Sequence, residues 1–355
     1  MLCLSNEPWG SSPGRTQQLL SRLKDAQILY FSPHAGRGDR SFRKKGRRVR
    51  SNITVYTLPP PLFQVEERYV HLFQAVQNRL GRFVAAKAAH RRFRSPLLWT
   101  TSPEHVHLLD RISYSGLVYD CDREWEGLPP QWEGSLAQAA DVVFAASPQL
   151  ADRLSPCSSN IALLPNGVNY PMFARGDKPR RKGEKPVLGW IGPVWRDLDL
   201  SPLLYAARAR PDWTFLLAGP QGRNPWLLRL RDFHNVKLLG PGSLEEFSRW
   251  MSRCDVLLEF LRGSQPYNDV IPSRLYAYLS TGKPIVSMLW PDQVEQFPDV
   301  VYGAHDSREF LTLCSHALEE APGFVSQRRR DYGAAAAWSK RAGEVSRILE
   351  TAGLL

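Results

Sequence analysis

Short apolar runs alternate with amphipathic stretches along nearly the whole chain. Met1–Leu4 reads as a strand, and after a loop of turn-formers QQLLSRLKDA reads as a helix with Leu19, Leu20 and Leu23 on one side. The strand QILYFS follows at once. The alternation then runs on: strand 52–58, helix 65–93, strand 96–100, helix 103–112, strand 116–119, a helix closing at 135–140, the strand DVVFAAS, helix 148–154 and the strand IALLPNG. Strands joined through helices of this length pair in parallel, because two antiparallel strands would need only a short turn.

The stretch 174–185, ARGDKPRRKGEK, is charged, carries Gly and Pro, and has almost no apolar side chains, as a linker should. A second series follows: the strand VLGWIG, helix 200–209, strand 213–218, the short strand VKLLG, helix 244–253 and the strand DVLLEF. Next comes YNDVIPSRLYAYLSTGKPIVSM, residues 267–288. Pro272 suits a helix start, Leu275, Tyr278 and Leu279 recur at helical spacing, and Gly282 suits a left-handed helix end before the strand that Ile285 opens. The tail from 305 reads as helical, with Asp306 and Ser307 able to cap its first helix. The pattern predicts an α/β fold of two doubly wound, Rossmann-like domains facing a cleft. The expected bounds are 1–173 for the N-terminal domain, 174–185 for the linker, 186–337 for the second domain, and 338–355 for a last helix that crosses back.

A length of 355 residues suits two cores better than one. At 43% hydrophobic and 23% charged, the composition is that of a soluble globular protein. Five scattered cysteines, none in a C-x-x-C spacing, argue for a reducing compartment and against a disulfide framework or zinc cluster. No apolar run approaches the ~20 residues that cross a bilayer, and the first residues lack a secretory leader's pattern. A cytoplasmic location is expected.

The net charge of +11 changes the picture, because it calls for an anionic partner: a nucleotide sugar, an acidic glycan, a lipid headgroup or nucleic acid. Residues 36–50 concentrate it, with eight basic side chains and one acid. Such a run is a solvated loop or a docking patch for an anionic membrane; nucleic acid is less favoured, since no aromatic or motif context accompanies it. Arg329 and Arg330 read as surface charges.

Candidate chemistry gathers after strands. Gly192-Pro193 and Gly219-Pro220 each end a strand, Arg196 follows the first, and Ser273-Arg274 opens a helix. Glycines admit close backbone approach to a diphosphate, arginine forks contact it, and a helix N-terminus favours anions. Neither G-x-G-x-x-G nor a Walker loop is present. In the first domain Asp120, Asp122 and Glu124 follow a strand, suited to sugar hydroxyls, to base chemistry or simply to capping. Arg15 and Thr16 open the first helix, where Arg15 is either an anion contact or a solvated charge.

These residues carry a resemblance that spans nearly the whole chain. Their motifs are W-G-x(4)-R-T-Q-Q-L from Trp9, VYDCDREW, ADVVFAAS, LLPNGVNYPMF, GWIGPVW, PDWTFLLAGP and PSRLYAYLSTGKPIVS. The chain resembles GT-B fold glycosyltransferases of the family 1/4-like group, and more narrowly is similar to bacterial transferases that build teichuronic acid, capsule and other exopolysaccharides. The resemblance implies transfer from a nucleotide sugar, UDP- or GDP-linked, to a cell-surface polysaccharide or lipid-linked glycan, with retention, no metal and no other cofactor. It places Asn166 and Gly167 at the cleft floor. It places Gly192, Pro193, Arg196, Gly219, Asn268, Asp269, Ser273 and Arg274 around the donor, and Trp9, Arg15 and Glu124 on the acceptor side. Asp120, Asp122, Arg196 and Arg274 take the catalytic roles, chiefly stabilising the departing diphosphate. Relatives carry two glutamates separated by seven residues where this chain has Asp269 and Ala277. The implied location is the cytoplasm, at the inner face of the membrane, with peripheral contact to anionic lipid and no nucleic-acid partner. The alternative left open is a catalytically inactive GT-B-like partner in a glycan-assembly complex.

Overall fold

The computed structural model describes residues 1–10, 13–34, 36, 40–60, 70–174, 183–260, 269–288 and 296–355. The chain forms two compact units, Met1–Pro165 with Ser339–Leu355, and Asn166–Trp338.

The first unit holds an eight-stranded sheet. Its strands are β1 (Leu2–Leu4), β2 (Ile28–Ser32), β3 (Arg47–Arg48), β4 (Ile53–Thr57), β5 (Leu97–Thr100), β6 (Gly116–Cys121), β7 (Val142–Ala145) and β8 (Ile161–Leu163). Their spatial order is β3-β4-β2-β1-β5-β6-β7-β8. Every pair is parallel except β3 on β4. The chain winds outward from β1 in one direction and then restarts at β5 on the other side, so the switch point lies between β1 and β5. β1, β2, β5, β6 and β7 are buried throughout, which explains their continuous apolar runs.

The second unit holds a six-stranded parallel sheet, ordered β11-β10-β9-β12-β13-β14. Its strands are β9 (Val187–Ile191), β10 (Thr214–Ala218), β11 (Val236–Leu239), β12 (Val256–Glu259), β13 (Ile285–Ser287) and β14 (Tyr302–Gly303). Its switch point lies between β9 and β12. One face of the sheet packs Trp190, Phe260 and Phe310 ring against ring at 5.5 and 5.6 Å. The other packs β12 and β13 residues against the helix Ser273–Thr281.

Local signals fix the best-defined helix ends. Ser243 and Glu246 form a reciprocal capping box on Leu244–Arg253, and Ser147 Oγ accepts from Leu150 N at Pro148–Leu154. Asp306 accepts from the Arg308 and Glu309 amides. Gly282 ends its helix at φ 77°, where a side chain would be strained.

Five expectations are corrected. β6 runs through Asp120 and Cys121, so Asp120 lies within the strand end and not beyond it. Pro103–Arg111 is a 3₁₀ helix, and the first helix is confined to Arg15–Leu20. Residues 166–173 pack with the second unit: Val168 and Phe173 join its core, and Asn166 Nδ2 donates to the Ile271 carbonyl at 3.0 Å. Arg329 is no surface charge. It is fully buried, forks onto Glu320 and donates through Nε to the Val300 carbonyl at 2.7 Å.

Candidate functional site

Ligands in doubly wound sheets lie beyond the carboxyl ends of the strands at the switch point. In the second unit that place is built by Gly192 after β9, Glu259 at the end of β12, and Arg274 in the first turn of the Ser273–Thr281 helix. Arg274 Nε donates to Glu259 Oε2 at 2.8 Å, and Nη2 bonds Oε1. The guanidinium lies over the Trp190 ring at 3.9 Å from its centroid. Burial works against the Arg274 charge, and the Glu259 carboxylate outweighs it, holding the guanidinium pKa above its usual value.

The fork leaves Nη1 pointing along Gly192, where an added Cβ would sit 2.8 Å from it. Only glycine leaves that donor accessible. Gly219 extends the same requirement: its φ is +144°, and a Cβ there would overlap the Gly192 carbonyl. The two glycines therefore stack backbone to backbone, with Gly192 N donating to Ala218 O at 2.8 Å. Tyr278 OH, from the same helix as Arg274, accepts from Ile191 N at 2.8 Å and pins the β9 end.

The loop beyond Pro193 is held on the next one. Val194 N donates to Pro220 O at 2.8 Å, and Asn224 Nδ2 reaches the carbonyls of Trp195 and Leu198 at 2.7 and 2.8 Å. Arg196 stands exposed on this loop and makes no ion pair among the described residues. Asp199 accepts from Ser201 N at 2.8 Å as a turn residue. Pro272 precedes the Ser273 helix, and its carbonyl accepts from Leu275 N at 2.9 Å; among the described residues no side chain caps the helix, so the amides of exposed Ser273 and of Arg274 remain for an anion. Asp269 is buried nearby in sequence, whereas Asn268 lies outside the described residues. Ala277 faces the core at 4% exposure.

In the first unit Arg15 and Asp120 meet as a buried pair, with Nε and Nη2 on Asp120 Oδ1 at 2.9 and 2.8 Å. Asp120 Oδ2 has no hydrogen-bond partner among the described residues, and neither does Ser102 Oγ, two residues past β5. Burial, the larger influence, raises the Asp120 pKa, and the Arg15 charge opposes it. Across the β1/β5 switch point Thr101 Oγ1 donates to Asn6 Oδ1 at 2.8 Å and accepts from Asn6 N at 3.0 Å.

Asp122 is held by Arg123 at 2.8 and 2.7 Å, and Arg123 also pairs with Glu7 at 3.0 Å. Glu124 is exposed beside them. Trp9 is half-buried, edge-on to Tyr30 at 5.0 Å, and anchored by its amide on Ser32 Oγ at 3.1 Å. Arg15 and Asp120 thus share one contact, Asp122 belongs to a second cluster with Glu7, and Trp9 lines the same sheet end.

Sequence reasoning missed two groups. Glu259 closes an apolar strand and gives no local sign that Arg274, fifteen residues on, will meet it. Glu133 is buried and accepts from Tyr119 OH at 2.7 Å and from the Arg153 fork beneath Cys121; this cluster fixes the end of β6 that carries Asp120. Among the described residues, no three His, Cys, Asp or Glu side chains gather as a metal set, and no helix is long and apolar enough to cross a membrane.

No protein-family model matches the chain. Among curated proteins it is 29% identical over 255 residues to TuaH, a candidate teichuronic acid biosynthesis glycosyltransferase of Bacillus subtilis (strain 168). That alignment takes in 62% of this chain and 63% of the relative, so the chain spans less than two thirds of its length. Among solved structures it is similar to sucrose-phosphate synthase from Thermosynechococcus elongatus, with TM-score 0.74 and 15% identity over 99% of this chain and 98% of that one. It is also similar to an E. coli structure described as trehalose-6-phosphate bound with UDP-2-fluoro glucose, with TM-score 0.69 and 12% identity over 98% of each chain. At these identities the likeness establishes the fold: GT-B, built of two Rossmann-like α/β units.

Proposed function

We propose that this protein is a glycosyltransferase that moves a sugar from a nucleotide-sugar donor to a cell-surface polysaccharide or lipid-linked glycan. The observation that carries the reading is the Arg274 fork, fixed by Glu259 and Trp190 with one edge turned to Gly192 at a switch point. The similarity to TuaH supports it, as does a structural neighbour described with UDP-2-fluoro glucose.

In this reading the donor diphosphate lies along Gly192 and Gly219. Arg274 Nη1, the first-turn amides at Ser273 and the exposed Arg196 offset its growing charge as the bond to the sugar breaks. The acceptor hydroxyl forms the new bond on the same face and passes its proton to the departing phosphate oxygen, so no protein nucleophile is needed. On the acceptor side Asp120 Oδ2 accepts from an acceptor hydroxyl while Arg15 holds Oδ1. Asp122, Glu124 and Trp9 bound the same region. Retention, metal independence, a UDP- or GDP-linked donor and work at the cytoplasmic face of an anionic membrane are parts of this proposal.

A second reading, a catalytically silent GT-B partner protein, draws on Ala277. At 4% exposure in the core, this position supplies no carboxylate to a donor ribose. One experiment separates the two. Purified protein is mixed with a panel of UDP- and GDP-sugars and followed for thermal shift and slow donor hydrolysis. Stabilisation by one nucleotide class, with hydrolysis that Arg196→Ala reduces at least tenfold, supports the enzyme. Binding without hydrolysis supports the silent partner, and no response to any donor removes both donor-based readings.

A further inference from the structure

The charge of this chain is not spread over it. Described residues 40–60 and 70–103 contain thirteen Lys and Arg and no Asp or Glu, whereas the remaining positions hold 33 Lys and Arg against 35 Asp and Glu. The whole net charge of +11 therefore sits in these two segments. The fold brings them together on one side ring. Tyr56, on β4, is met by Gly46, where an added Cβ would fall 2.5 Å from Cζ. From the far end of the Val70–His90 helix, Arg91 Nε donates to Tyr56 OH at 3.2 Å and Lys87 Nζ lies 5.5 Å from the ring centroid. The edge strand β3 presents Arg47 and Arg48, both exposed, beside this junction. None of the thirteen is ion-paired among the described residues.

The helix end carries a second feature. Arg92 adopts φ +62°, a left-handed conformation that glycine takes at helix ends without cost. Among the described residues it lines, with Ala89, Phe93 and Arg94, a notch of ≈ 590 Å³. A strained arginine where glycine would serve places a charge at the notch and flanks half-buried Phe93 with guanidinium groups.

We infer that the β3 edge and the end of the 70–90 helix form one docking face for an anionic lipid bilayer. Unpaired cations over a broad face suit headgroup phosphates, whose attraction adds up charge by charge. Phe93, half-buried between exposed Arg92 and Arg94, is the kind of aromatic that anchors at a bilayer interface. Nucleic acid fits less well, because Tyr56, Phe83 and Phe42 are approached by Gly46, Lys87 and Arg43, leaving Phe93 as a single half-buried ring and no run of stacking platforms. Charged edge strands also deter edge-to-edge pairing, but that role calls for nothing on the helix end.

This inference deepens the membrane part of the function proposed above and uses none of its donor or acceptor residues. The test is flotation of the full chain with phosphatidylcholine vesicles, with and without phosphatidylglycerol, at low and high salt. Binding should need phosphatidylglycerol and weaken with salt. Neutralising Lys44, Lys45, Arg47 and Arg48 to Gln should lower partition by about fivefold per residue, and Arg92→Gln with Arg94→Gln by about 25-fold. Arg92→Gly should weaken vesicle binding while leaving the thermal midpoint unchanged or higher, which separates docking from folding. Binding that ignores lipid charge overturns the inference, as does an effect of the loop substitutions alone. Tighter binding to a DNA or RNA oligomer than to vesicles at equal salt also overturns it. Donor hydrolysis measured on the same variants reports the catalytic reading separately: its persistence after a failed flotation leaves glycosyl transfer standing.

Discussion

Replacing Arg274 with alanine removes the only fork that neutralises Glu259 among the described residues, and the Glu259 side chain is 1% exposed. A carboxylate stranded there has little access to water and no second cation among the described residues, and breaking such a pair costs about 3–5 kcal/mol. Loss of the guanidinium from the Trp190 face adds about 1 kcal/mol. Glu259→Gln is milder, because Arg274 keeps 18% exposure and can turn its charge to solvent; about 1–2 kcal/mol is expected. The double variant Arg274→Ala with Glu259→Gln removes both charges together and should recover at least half of the loss seen in Arg274→Ala. Urea unfolding of the four proteins closes a double-mutant cycle, with a coupling energy of about 2 kcal/mol or more. An Arg274→Ala cost below about 1 kcal/mol would show that the pair is solvated and the reasoning wrong; so would a double variant as unstable as the sum of the singles. The cycle also decides how donor binding is tested. Arg274→Ala alone confounds lost phosphate contact with local unfolding, whereas the double variant isolates the contact.

Two further outcomes follow from buried groups. Burial lowers the His105 pKa from 6.5 to about 4, so the unfolded chain takes up the proton first as the pH falls. Stability complete above about pH 6.5 should then decline towards pH 4 by up to about 3 kcal/mol; urea midpoints across that range should fall less in His105→Gln, and parallel curves would refute the assignment. Gly219→Ala forces a side chain into positive φ against the Gly192 carbonyl and should cost about 2 kcal/mol or more. Gly240→Ala, with open space around it, should change the midpoint little, and equal effects would show that the glycine stack is not restrictive.

Much of the fold could be read from the chain because its signals are local. The Pro148–Leu154 and Leu244–Arg253 helices follow serine caps, and Gly282 takes the left-handed turn its position before Lys-Pro suggests. The candidate site was half legible. Gly192, Gly219 and Arg274 could be found because a glycine after a strand and an arginine at a helix start each mark themselves. Glu259 could not, since its meaning lies in a partner brought beside it only by the sheet order β9-β12. Asp120 reads as a post-strand acid because a charge within a buried strand is improbable until Arg15 is placed against it. Arg329 sits in a run of three arginines, and composition says surface; only the packing of its helix on the Gly282 turn turns the middle one inward.

The last helix bears on how the chain matures during synthesis. Ala342, Val345 and Leu349 are buried, and Leu354 lies against Gly116 at the start of β6, so residues 339–355 complete the first unit. The second unit is one uninterrupted segment. On a ribosome it can close as soon as it emerges, whereas the first unit lacks residues 339–355 until the second has been made. The closing element of the first unit is therefore synthesised after the whole of the second. The surface that Ala342, Val345 and Leu349 bury against is thus left uncovered while the second unit is being made.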